Sequence, residues 1–120
     1  MPIIATVDHD RREVHAVAMG PISYEDVERH LRFERHWGGL AYPEILDVRG
    51  AGINLTPAEI RQIVALVHDM AREGRFGRTA VIVSSEYAFG VARMVEMLIE
   101  DVCELKPFYD EQEARIWLAR

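Results

Sequence analysis

Hydrophobic positions along this chain recur with two periods, and the places where one period gives way to the other mark out the elements. Residues 3–7, IIATV, are a short β-branched run, and EVHAVAM, residues 13–19, alternates Val14, Ala16 and Ala18 against His15, Val17 and Met19. The polar turn Asp8-His9-Asp10-Arg11 joins them into an antiparallel hairpin, and Gly20-Pro21 is expected to stop the second strand. Ser23 then caps a helix over Tyr24 to about His36. Asp26 sits at capping-box spacing, Ile22 and Val27 at staple spacing, and Trp37-Gly38-Gly39 ends it. PEILDV, residues 43–48, is a third, central strand, followed by a loop over 49–55. Thr56-Pro57-Ala58-Glu59 opens a helix with an apolar stripe at Ile60, Ile63, Val64, Val67 and Met70, and Gly74 is its expected left-handed terminus.

The second half repeats the strand-helix alternation. TAVIVS, residues 79–84, has the continuous apolar character of a parallel strand covered on both faces. A helix capped by Ser85 runs from Glu86 to about Glu104, with Ala88, Val91, Ala92, Val95, Leu98, Ile99 and Val102 as its core stripe. Pro107-Phe108-Tyr109 is a last extended piece. Asp110 caps a final helix that turns Ala114, Trp117 and Leu118 inward. The order β-β-α-β-α-β-α-β-α implies one α/β domain over residues 1–120, with a mostly parallel sheet, an antiparallel first strand and right-handed crossovers. In such sheets ligands bind beyond the C-terminal strand ends, here residues 49–55 and 84–90.

Composition narrows the function. A 120-residue chain with 49% apolar residues can close a core without a disulfide or metal staple. A net charge of -6 without a Lys/Arg block argues against nucleic acid and anionic membranes. The single cysteine, Cys103, falls on the helical pattern as a packing residue and fits a reducing, cytoplasmic setting. No signal peptide is legible, and no apolar run approaches a membrane span.

This element order, with the acidic residue of ILDVRG and a helix starting ten residues after Leu46, resembles the STAS fold of the SpoIIAA-like, anti-sigma-factor-antagonist superfamily. The segments TAVIVSSEYAFGVARMVE and FYDEQEARIWL look most like its STAS/SEC14-like branch of small bacterial proteins. The signalling members carry an Asp-Ser-Ser-Gly turn in which a partner kinase phosphorylates a serine. That turn falls here on Leu55-Thr56-Pro57-Ala58, so the resemblance points to Thr56 as the phosphorylation candidate, with Leu, Pro and Ala at the other positions. The SEC14-like likeness implies a small apolar ligand.

The residues themselves suggest less chemistry. Thr-Pro-x-Glu is complete as a helix cap, which explains Thr56 without a phosphate. Gly50 and Gly52 lack the Lys-Ser/Thr of a P-loop, and Ser84-Ser85 lacks the glycines of a nucleophile elbow. Gly90 inside a helix suggests close approach of a backbone or ligand. Met94 and Met97 read first as packing residues and second as the wall of an apolar pocket. None of His9, His15, His30, His36 and His68 forms a tight ligand pair, so no metal site, cofactor or catalytic set is expected.

The expectation is therefore a non-enzymatic cytoplasmic binding or regulatory domain. It would take a partner protein or a small apolar ligand at Asn54, Ser85, Tyr87, Phe89, Gly90 and Met94. A phospho-switched antagonist using Thr56 stands second, and a small enzyme using Asp47, Glu86 or Tyr87 third. The antiparallel edge and the Gly90/Met94/Met97 strip each offer a surface for a homodimer.

Overall fold

In a computed structural model describing residues 2–120, the chain forms β1 (Ile3–Asp8), β2 (Glu13–Ile22), α1 (Tyr24–His36), β3 (Glu44–Ile53) and α2 (Pro57–Met70). It continues with β4 (Thr79–Ile82), α3 (Glu86–Ile99), β5 (Leu105–Phe108) and α4 (Glu111–Leu118). The strands make one sheet in chain order, β1-β2-β3-β4-β5, with β1 antiparallel to β2 and every later pair parallel. Three right-handed crossovers that all step the same way must place α1, α2 and α3 on one face. Side-chain parity in β4 records the result. Val81 and Val83 pack with Ala18, Ile22, Val48 and Ala88 under those helices, while Ala80 and Ile82 pack with Ile45, Phe108 and Ala114 under α4. Because α4 lies over β3, β4 and β5, the β1–β2 half of its face stays bare, and Ile4, Val17 and Met19 are exposed there.

The strands run further than the sequence suggests. Gly20-Pro21 does not end β2, which continues to Ile22, and residues 50–53 are not loop but strand, paired with residues 19–22. The register shifts between Val17 and Met19, where Val17 pairs with Asp47 but Met19 pairs with Gly50. One extra residue of β3 is accommodated there, a β-bulge. Past it the alternation of β3 changes phase, and Ala51 and Ile53 join the same core as Leu46 and Val48. A Cβ on Gly50 would meet Met19 Sδ at 2.7 Å, a contact that the exposed, flexible Met19 side chain can relieve by moving.

The helix caps follow the sequence closely. Ser23 and Asp26 form a complete capping box at α1, Thr56 and Glu59 another at α2, and Ser85 and Asp110 cap α3 and α4. Helix ends do not. After α2 the chain passes through an ordinary right-handed turn at Ala71, and the left-handed glycines among the described residues are Gly20 and Gly38, not Gly74. The helix α3 stops at Ile99 instead of about Glu104, so Cys103 is buried in the following turn, where its thiol reaches Gly77 O at 3.7 Å. Leu98, placed in the core stripe by its spacing, is 47% exposed, whereas Leu66 of α2 is buried without having been singled out.

Candidate functional site

Beneath α2 and α3, toward the C-terminal ends of β2, β3 and β4, lies a cavity of about 140 Å³. Its walls are almost wholly aliphatic: Leu46, Val48 and Ile53 of β3, Val81 and Val83 at β4, Leu55 and Ile63 at α2, and Ala88, Val91, Ala92 and Val95 of α3. Small side chains are part of its lining, Ala18 from β2 and Ala88 and Ala92 from α3. The space is partly open to the surface, its lining offers no polar partner to hold an ordered water, and its volume suits a small apolar molecule such as benzene.

The segments singled out in the sequence, 49–56 and 84–94, border this cavity, but through their inward apolar neighbours. Asn54 and Thr56 are exposed beside Ile53 and Leu55, and Ser85, Tyr87, Gly90 and Met94 are exposed on the outer side of α3. Phe89 stacks on Tyr109, with ring centroids 5.0 Å apart and planes 7° from parallel. Gly90 has open space where a Cβ would stand, so no backbone approaches it, and helix crowding does not explain it. Met94 and Met97 are 49% and 63% exposed, which removes them from the core packing expected of them.

Thr56 sits in a closed hydrogen-bond loop. Its Oγ1 accepts from Glu59 N–H at 3.1 Å, while the Glu59 carboxylate accepts from Thr56 N–H at 3.0 Å. That backbone bond holds the Glu59 carboxyl below its usual range. A phosphate on Oγ1 would face this carboxylate at close quarters and displace the cap. The enzyme candidates are dispersed. Asp47 is tied to Arg49 at 2.8 Å, a contact that lowers its pKa, and Glu86 and Tyr87 face solvent. Ser84 has a structural partner, donating to Arg49 O at 3.1 Å beside the bulge.

A second cluster stands at the opposite, N-terminal end of the parallel strands, and sequence reading missed it. His30 and Glu34 lie one turn apart on the inner face of α1, and Glu44 opens β3. The three side chains are 3% to 6% exposed. His30 Nε2 donates to Glu44 Oε2 at 2.6 Å. Glu34 Oε1 lies 2.9 Å from the same nitrogen, but the one N–H there is directed at Glu44, and Oε1 has no hydrogen-bond partner. Burial works against the imidazolium, yet Glu44 first and then Glu34 overcome it and raise His30 to about 10. Burial, reinforced by the Glu44 charge, pushes Glu34 up to about 8. The signal in the sequence was a His-x-x-x-Glu spacing on the buried face of α1. It is hidden by a search for paired histidines and completed only by a residue from another element.

A five-stranded sheet in chain order with an antiparallel first strand, three crossover helices on one face and a fourth helix on the other is the SpoIIAA-like, or STAS, fold. The chain is similar in structure to an uncharacterised protein of the DUF3478 family with a SpoIIAA-like fold from Shewanella loihica PV-4. The TM-score is 0.65 at 18% sequence identity, over 97% of this chain and 93% of that one. No protein-family model matches the sequence, and no curated protein matches it. No helix among the described residues is long and apolar enough to cross a membrane.

Proposed function

We propose that this chain is a non-enzymatic binding domain whose cavity beneath α2 and α3 takes a small apolar ligand. The aliphatic cavity of about 140 Å³ at the C-terminal end of the sheet carries this reading. It lies between the sheet and the helices, beside residues 53–55 and 88–95. Its lining selects by shape and apolarity alone, since no polar side chain enters it to orient or transform a substrate. That favours binding over catalysis, and it agrees with the SEC14-like likeness of residues 79–96. A phospho-switch at Thr56 gains no support from the capping box that already occupies its hydroxyl.

Thermal unfolding of the full chain with increasing benzene tests the proposal. At a tenfold excess over Kd, linkage adds about 1.4 kcal/mol, which is a rise of about 4–6 °C for a domain of this size. The amide and methyl resonances of Ile53, Ala88, Ala92 and Val95 should shift with the same concentration dependence. No change in midpoint, together with no shift at those residues, would refute it.

A further inference from the structure

The buried polar cluster at the far end of the sheet is independent of the apolar cavity. His30 and Glu34 are an i,i+4 pair, a spacing that aims two side chains at one spot. Glu44 reaches that spot from β3, its backbone fixed by a 2.8 Å bond from its own N–H to Arg78 O. One donor atom from each lies within 4.8 Å of the others. Burying two carboxylates against one imidazole is a poor way to hold a core together. A well-packed apolar trio of the same volume does at least as well. The arrangement also leaves Glu34 Oε1, almost sealed from water, with no donor to accept from.

We propose that His30, Glu34 and Glu44 are the three protein ligands of a site for a divalent first-row transition ion of the zinc class. One imidazole nitrogen with two carboxylates suits Zn²⁺, Co²⁺, Fe²⁺ or Mn²⁺, whereas Mg²⁺ and Ca²⁺ prefer all-oxygen sets. The charges close: an ion of +2 against two carboxylates and a neutral imidazole leaves no net charge in a buried place. The orphaned oxygen gains the partner it lacks. Three protein ligands leave a coordination position for water or a small anion. His30 Nε2 now stands 2.6 and 2.9 Å from the two carboxylate oxygens. Ligands about 2.1 Å from a tetrahedral ion stand roughly 3.4 Å apart, so the cluster opens by about half an ångström or more on loading. His30 also lines a 260 Å³ cavity between β1 and α1, with Ala5 and Phe33, into which its ring can give way.

The test loads the chelator-stripped full chain with Co²⁺ and then Zn²⁺. One equivalent of Co²⁺ should bind with the visible absorption of a four- or five-coordinate N/O site. At a hundredfold excess over Kd, Zn²⁺ should raise the unfolding midpoint by more than about 5 °C. Long-range imidazole ¹⁵N spectra should show His30 losing its Nε2 proton. Glu34→Gln should weaken Co²⁺ at least about tenfold, while His68→Ala, which removes the exposed His68–Asp101 pair, should leave it unchanged. No stoichiometric binding, binding of equal strength in Glu34→Gln, or an unperturbed His30 imidazole would overturn the assignment. Should Glu34→Gln fail to fold, the wild-type His30 spectrum alone decides it.

Discussion

Replacing Ala92 by leucine is the sharpest perturbation of the apolar cavity. Ala92 is 9% exposed on α3 and its methyl forms part of the cavity wall. If the space is empty, forfeited packing at about 24 cal/mol per Å³ costs the fold at most roughly 3 kcal/mol, the figure for a fully enclosed cavity of this volume. Leucine adds three carbons, which at about 0.8 kcal/mol per buried methylene is a gross gain of about 2.4 kcal/mol. Rotamer adjustment, and the slightly lower helix propensity of leucine, take back some of this. The net expectation is a stabilisation of about 1–2 kcal/mol. In urea this appears as a midpoint raised by about 1 M at unchanged slope. The same variant should lose the thermal shift caused by benzene, because the side chain occupies the ligand's volume. Overpacking a filled core costs about 1–3 kcal/mol instead. A midpoint that falls by that much would show that the space is not there, and the ligand proposal would fall with it.

Other substitutions probe neighbouring parts of the argument. Thr56→Ala should cost about 1 kcal/mol in urea unfolding, and Thr56→Ser should restore most of it, as a cap requires. A loss of 3 kcal/mol or more would mean that the hydroxyl does something besides capping. Gly90→Ala places a methyl in open space inside α3 and should stabilise by up to about 1 kcal/mol, read from the same unfolding curves. Burial raises the Cys103 thiol to about 12, which leaves roughly one molecule in ten thousand as thiolate at pH 8. Iodoacetamide should therefore label Cys103 only after denaturation, and mass spectrometry showing rapid labelling of the native chain would contradict the burial.

Local rules read this fold well wherever a local interaction decides the outcome. Each of the four caps is a hydrogen bond closed within three residues, and each stands where its motif places it. The ends of elements were less legible because partners distant in sequence set them. Residues 50–53 contain two glycines and resemble a loop, yet β2 runs on through Gly20-Pro21 and they pair with its residues 19–22. Periodicity carried α3 past Ile99, but the chain must turn there to begin β5 beside β4. The candidate sites show the same division. The segments around the apolar cavity were legible, because the topology fixes where parallel strands end. Which side of each segment faces inward was not, since Asn54 and Tyr87 look more like chemistry than Ile53 and Ala88. The His30 cluster depends on Glu44 arriving from another strand, a tertiary fact with no local trace.

The bulge in β3 makes residue count as much a part of the design as residue type. Before it, Leu46 and Val48 face the three-helix core. After it, Ala51 and Ile53 do, one position out of step. Deleting Arg49 would take out the extra residue and restore strict alternation with Ala51 and Ile53 still on the core side, whereas deleting Gly52, past the bulge, would remove no core side chain yet swing Ile53 to the opposite side of the sheet. The floor of the apolar cavity would lose Ile53, and the capped start of α2 would be drawn toward the sheet by about one strand residue, roughly 3.3 Å. Segments exchanged between this chain and a structural relative must therefore match in length through this strand before their side chains are compared.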